Sequence, residues 1–409
     1  MTLVQSSSAT ALNISELVDL ICAFAHDPDA LHDLRSLALV CRGFTSSAQT
    51  QLFHTIDLVN LPIKISFPKL QQTLSSHPQF LPHIRSIHAC LTDERKIGVI
   101  GDRKTLPNVL DFIRTTPLPG LKHLELSNGP HIGMRALDGG IILDVRNLLA
   151  TLPITHLTLK TALAGITDLD VLFGRCTPTL HTLTLSVNML QDLCDGAPFK
   201  PEDCVIQNPT RRPQLRTLTL HDTAFRNPLE HWLSHAGCPL DLRTLRTAKI
   251  MTAFNAEPKE FLDKGSFTLE DLEISATDLL NGPTLSNLTH LRRLVLTQGH
   301  LPQFIDILST LPHQLNHLST LALYWSESAP DLQQLRMIDD LVAELGAPKL
   351  TSFIVPIPWD CELIPNYFVD GEEEEIGFGF GRTQLNGEEW KRIAEVFPRM
   401  SKRGVLRVR

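Results

Sequence analysis

Residues able to do chemistry are plentiful in this chain, but none stands at a spacing that chemistry requires. Seventeen histidines are scattered along its length. A zinc protease helix carries His-Glu-x-x-His, a hydrolase elbow carries Gly-x-Ser-x-Gly, and a phosphate loop ends in Gly-Lys-Ser/Thr; none of these occurs. His123, His156 and His181 lie in or beside stretches that alternate apolar and polar residues. There they read as exposed strand residues rather than as metal ligands or bases. Cys176 and His181 are near in sequence, yet strand placement gives no reason for them to pair. Asp168 and Asp170 read as the polar start of the helix-like "LDVLFGRC". "DGEEEEIGFGFG" at 370–381 packs Glu372 to Glu375 side by side. Four adjacent like charges repel and favour a solvated loop, and their spacing is wrong for a calcium loop. The expectation is a protein without catalytic residues, cofactor or metal.

Composition narrows the partners. The net charge is −8, whereas a general nucleic-acid binder is basic, so no nucleic-acid partner is expected. An apolar content of 43 % with 20 % charged residues suits a folded chain rather than a disordered one. The eight cysteines include no Cys-x-x-Cys pair and are few for 409 residues, which points to reduced thiols and a cytoplasmic or nuclear location. The opening "MTLVQSSSATALN" has no basic region before an apolar run, and no apolar stretch reaches a membrane-spanning length, so no membrane partner is expected.

With no reaction centre in sight, the elements themselves carry the information. After residue 80 one short pattern, apolar-x-x-apolar-x-apolar, keeps returning. It reads LKHLEL at 121–126, ITHLTL at 154–159, LHTLTL at 180–185, LRTLTL at 215–220, LEDLEI at 269–274, LRRLVL at 291–296 and LSTLAL at 318–323. Weaker copies are IRSIHA at 84–89, LRTLRT at 242–247 and KLTSFIV at 349–355. Each ends in alternation, the mark of a short strand with one buried face. Helix-like segments lie between copies: "LPQFIDILSTL" puts Phe304, Ile307, Leu308 and Leu311 on one face. A strand and a helix every 22–35 residues is solenoid spacing, and the shared polarity predicts a parallel sheet. Over roughly 80–360 these copies resemble leucine-rich repeats. The family's Asn three residues after the core appears only as Asn188, so the turns are expected to be irregular.

Residues 12–53 read as a helical module. Leu17, Leu20, Ile21 and Phe24 form one stripe, with Val18, Cys22 and Ala25 beside it; a second helix carries Leu34, Leu37, Cys41 and Phe44, widened by Leu39 and Val40. Leu37 to Cys41 is five apolar residues in a row, which covers every side of a helix. About 40 residues bury little surface alone, so the surplus apolar face must meet the repeats or another protein. "LNISELVDLICAFA…LRSLALVCRGFTSSAQTQLF", about a tenth of the chain, resembles an F-box, and its combination with the repeats resembles a fungal-type F-box protein with irregular leucine-rich repeats. Ser15 stands where F-boxes usually carry Pro. The resemblance implies binding to the Skp adaptor of a cullin-based ubiquitin ligase through Ile14, Leu17, Leu20, Ile21, Leu37, Val40, Cys41 and Phe44. It also implies that the repeats hold a protein substrate. The alternative is a repeat scaffold with no ligase partner, whose helical module only caps the solenoid.

The expected fold is therefore α/β: a leucine-rich-repeat-like solenoid, with parallel strands on one face and helices on the other, after a small all-α module. Its parts are a disordered 1–11, the module at 12–55, the solenoid at 56–360, an acidic Gly-rich loop at 361–385, and a capping helix and strand at 386–409. Trp390, Ile393, Ala394 and Phe397 form the stripe of that last helix. On the open face of the strands the pattern puts Thr244, Arg246, Asp271, Glu273 and Arg293 together. With Tyr324 and Trp325 at the edge as anchors, this is the expected substrate surface.

Overall fold

Each repeat copy becomes a strand because its two faces differ. In LHTLTL, Leu180, Leu183 and Leu185 are fully buried while Thr182 and Thr184 stay half exposed. The computed structural model describes residues 36, 42–58, 67–90, 105–127, 137, 139–189, 212–221, 229, 232–235, 237–251, 262, 268–279, 285–311, 315–325, 331–355 and 387–408. The expected terminus at 1–11, the F-box residues Ile14, Leu17, Leu20, Ile21, Leu37, Val40 and Cys41, and the acidic loop lie outside these. The chain forms two compact units, Met1–Gly129 with Thr151–Thr158, and Pro130–Ala150 with Leu159–Arg409.

The first unit contains α1 (Arg42–Leu52), β1 (Thr55–Asp57), α2 (Phe67–Ser76), a 3-10 turn at Pro78–His83, β2 (Ser86–Cys90), α3 (Thr105–Thr115) and β3 (His123–Ser127). The first three residues of β4 (His156–Leu163) also belong to it. β1, β2 and β3 pair in parallel, with Ile56 beside Ile87 and Ile87 beside Leu124. Helices α2 and α3 supply Leu74, Phe112 and Ile113 to its core, where Phe67 meets Phe112 edge to face. Phe53 stacks on Phe80 at 4.2 Å. The stretch FHTIDL at 53–58 repeats the apolar spacing, so the pattern begins well before residue 80.

The second unit holds the rest of β4, then α4 (Gly139–Thr151), α5 (Ile166–Phe173), β5 (Thr182–Met189), β6 (Thr217–His221), β7 (Thr247–Met251), β8 (Asp271–Ser275) and β9 (Arg293–Gly299). It continues with α6 (Leu301–Thr310), β10 (Thr320–Trp325), α7 (Leu332–Glu344), β11 (Ser352–Val355), α8 (Gly387–Val396), α9 (Pro398–Lys402) and β12 (Leu406–Val408). From β5 to β12 every strand pairs in parallel with its successor. LHTLTL and LRTLTL lie side by side, Leu183 opposite Leu218. The expected helix at 301–311 is present with Phe304, Ile307, Leu308 and Leu311 buried. At the other end Ile393 and Phe397 are buried, and Phe397 meets Phe353 edge to face at 5.6 Å.

One copy is read three residues early in the sequence. LRTLRT at 242–247 predicts Leu245 as the middle of the strand and Thr244 and Arg246 as its outward pair. The strand instead is β7, where Ala248 stands opposite Leu218 and Lys249 opposite Thr219. The true copy is LRTAKI at 245–250, with Thr247 and Lys249 outward. Arg246 precedes the strand.

At the N-terminal edge of the strands successive copies are tied by a carbonyl ladder. The second residue of each copy accepts two backbone N–H groups from the next copy. Arg246 and Thr247 both donate to the Arg216 carbonyl, at 2.9 and 3.0 Å, and Glu270 and Asp271 both donate to that of Arg246. The same pattern recurs at His54, Arg85 and Lys122 in the first unit and at His181, Glu270, Arg292 and Ser319 in the second. Hydroxyls of Ser319 and Thr351 add donors to the carbonyls of Arg292 and Ser319. Buried backbone groups must be paired. The ladder meets that need with any side chain at the position, which leaves those side chains free to vary.

Candidate interaction surface

The charges expected on the strands do come together on β7–β9, with one exchange of residue. Parallel register places Lys249 opposite Glu273 and Asp271 opposite Arg293. Glu273 is the centre: its carboxylate lies 3.3 Å from Lys249 Nζ and 3.4 Å from Arg293 Nη2. Arg293 Nη1 donates to Asp271 at 2.8 Å. Two cations meet two carboxylates, so the patch neutralises itself. Burial disfavours the Arg293 charge, but the carboxylates of Asp271 and Glu273 outweigh it and raise its pKa. Glu273 is 15 % exposed and Lys249 and Arg293 about two-fifths, so the cations form the outer rim.

The flanking residues divide. Arg246 lies at the strand's N-terminal edge and pairs with Glu270 at 3.5 Å rather than with Asp271 or Glu273. Tyr324 is half-buried on β10. Trp325 is not a surface anchor. It shares the parity of Leu321 and Leu323 and is only 9 % exposed. It pairs with Gly299 across a register shift, at a point where Gln298 adopts φ 53°. Thr219, Val295 and Ala322, also at outward positions, are buried, so the accessible row is the charged one with its threonines.

The first unit carries a histidine row that the strand pattern placed but whose contacts it could not show. His88, His123 and His156 come from β2, β3 and β4, with ring centroids 5.7 and 6.2 Å apart, edge to face. The His123 ring is within hydrogen-bond distance of the Ser86 hydroxyl at 3.1 Å and of the Thr158 hydroxyl at 3.3 Å. His88 lies 3.8 Å from Glu125. Burial, then the neighbouring His88, holds the His123 pKa below the usual imidazole value; Glu125 opposes this and His156 adds to it. Among the described residues no group of three His, Cys, Asp or Glu is placed to hold a metal ion.

Other singled-out residues are structural. Asp168 caps α5, accepting from Ala164 N at 2.8 Å and from Gly165 N. Asp170 accepts from the buried Trp232 indole. Burial raises the Cys176 thiol pKa to about 12, so it is an inert core group, and it makes no contact with His181 that would activate it.

No family model matches this chain. A search of curated proteins finds no match either. Among the described residues no helix is long and apolar enough to cross a membrane. Of the F-box residues only Phe44 is described, as part of α1.

Proposed function

We propose that this chain is the substrate-recruiting subunit of a Skp–cullin–F-box ubiquitin ligase, acting without catalytic residues of its own in the cytoplasm or nucleus. The observation that carries the reading is the direct join of two parts. Helix α1 holds Arg42-x-Phe44 and Leu52 of the F-box-like motif, and β1 begins at Thr55, three residues after that helix ends. In this reading the helical module expected over 12–55 feeds straight into the parallel strands that begin with β1. In this reading Ile14, Leu17, Leu20, Ile21, Leu37, Val40, Cys41 and Phe44 meet the Skp adaptor, whose surface covers the second face of Leu37–Cys41. The strands present Lys249, Asp271, Glu273 and Arg293 to a protein substrate, whose opposite charges exchange with the internal pairs and fix its register.

The self-neutralised patch favours a second reading, in which those charges keep the sheet polar and the chain is a repeat scaffold with a capped N-terminus. Affinity purification of the tagged full chain separates the two. Co-purification of the Skp adaptor and cullin, lost on Leu17→Asp or Val40→Asp with the circular dichroism unchanged, supports the ligase subunit. Absence of the adaptor from the wild-type preparation leaves the scaffold.

A further inference from the structure

At the N-terminal edge of strands β6 to β9 the guanidiniums outnumber their carboxylate partners. The residue whose carbonyl carries the ladder projects its side chain there. On β6 to β10 that residue is Arg216, Arg246, Glu270, Arg292 and Ser319. Arg246 and Arg292 share the single carboxylate between them, Glu270, at 3.5 and 3.3 Å. Both guanidinium side chains are about two-thirds exposed. Arg216 has no ion-pair partner among the described residues. Arg243, close by, is held by Asp241 and adds no excess. Three guanidiniums therefore face one carboxylate, in a chain whose net charge is −8.

A cleft of about 240 Å³ opens at this edge, lined by Arg246, Thr268, Glu270, His290, Arg292 and His317. The His290 and His317 rings stack at 5.8 Å. Arg246 and Arg292 against Glu270 leave one guanidinium charge in excess, which matches one carboxylate. The stripe from Arg216 to Arg292 crosses three strand spacings, about 14 Å, which an extended peptide covers in about four residues.

We propose that this edge docks an acidic segment of a partner protein, with one of its carboxylates seated in the cleft between Arg246 and Arg292. The proposal deepens the reading of the repeats as a partner-recognition surface and does not depend on the ligase reading. Binding is electrostatic and falls as salt rises.

The test is fluorescence anisotropy with a labelled hexaglutamate peptide and the full-length protein. Saturable binding is expected, weakened about tenfold by Arg246→Gln and by Arg292→Gln and unchanged by Arg114→Gln on α3. Circular dichroism melts verify that each variant is folded; if one is not, the other carries the comparison. No binding to wild type, or equal binding by the Arg246 and Arg292 variants, overturns the proposal. So does equal affinity for a single-stranded oligonucleotide, which marks a general polyanion surface. Displacement by inorganic phosphate stronger than by acetate at equal ionic strength overturns the choice of a carboxylate. Any of these with Skp capture intact removes this inference and leaves the ligase reading standing.

Discussion

Lys249 stands opposite Glu273 in the β7–β8 pair, its ammonium 3.3 Å from that carboxylate. With Arg293 on the other side of Glu273, the three strands share one ion-pair network. Cross-strand charge pairs contribute tenths of a kcal/mol to about 1 kcal/mol each.

Arg293 is the member whose loss is felt twice. Arg293→Ala is expected to cost about 0.5–1 kcal/mol, the small value reflecting its partial exposure. Arg293→Glu sets a third carboxylate beside Asp271 and Glu273 and costs about 1–2 kcal/mol. Urea denaturation measures both. Equal midpoints for wild type and Arg293→Glu mean that the network carries no stability.

Asp339 on α7 is 1 % exposed and caps α9, accepting from Arg399 N at 2.8 Å and Met400 N at 3.0 Å. Asp339→Ala removes both acceptors and is expected to cost about 1–2 kcal/mol. Asp339→Asn keeps one acceptor and costs less. Burial raises the Asp339 pKa, against the two backbone hydrogen bonds; Asp340 raises it further, and Arg399 opposes. The folded state thus holds this proton more tightly than the unfolded chain. The resulting stabilisation is full below the unfolded value and is lost as pH rises through the folded one. The stability gap between wild type and Asp339→Asn narrows over that rise, as urea midpoints across the range will report.

His123 titrates in the opposite sense. Its folded pKa is lowered, chiefly by burial and then by His88, so the unfolded chain binds the proton more readily. The associated stability is present above about pH 6.5 and drains away as pH falls towards the folded value. His123→Gln is expected to lose less stability than wild type between about pH 7.5 and 5.5. Parallel losses in the two proteins, read from urea midpoints, exclude His123 as the sensing group.

Strand existence was legible because Leu-x-x-Leu-x-Leu states both the period and the buried face. Register was legible only where the leucines were unambiguous. At 242–250 the chain offers Leu242, Leu245 and Ala248 at equal spacing, and all three are buried. The alanine in the true middle position disguised the copy and hid Lys249. FHTIDL escaped for the same reason, with Phe53 and Ile56 in leucine positions. Trp325 shows that residue type misleads where parity does not: its side chain counts inward from Leu321. The histidine row and the two-arginine edge needed the register between copies, since their members lie 33–46 residues apart in sequence.

The central claim is that the N-terminal helices dock a Skp adaptor. Its most direct measurement is the dissociation constant between the purified full-length chain and the purified adaptor, with Val40→Asp as comparison. Saturable binding, weakened at least about a hundredfold by a charge placed in an apolar interface, is the predicted result. No measurable binding by a wild-type chain that melts cooperatively would contradict it.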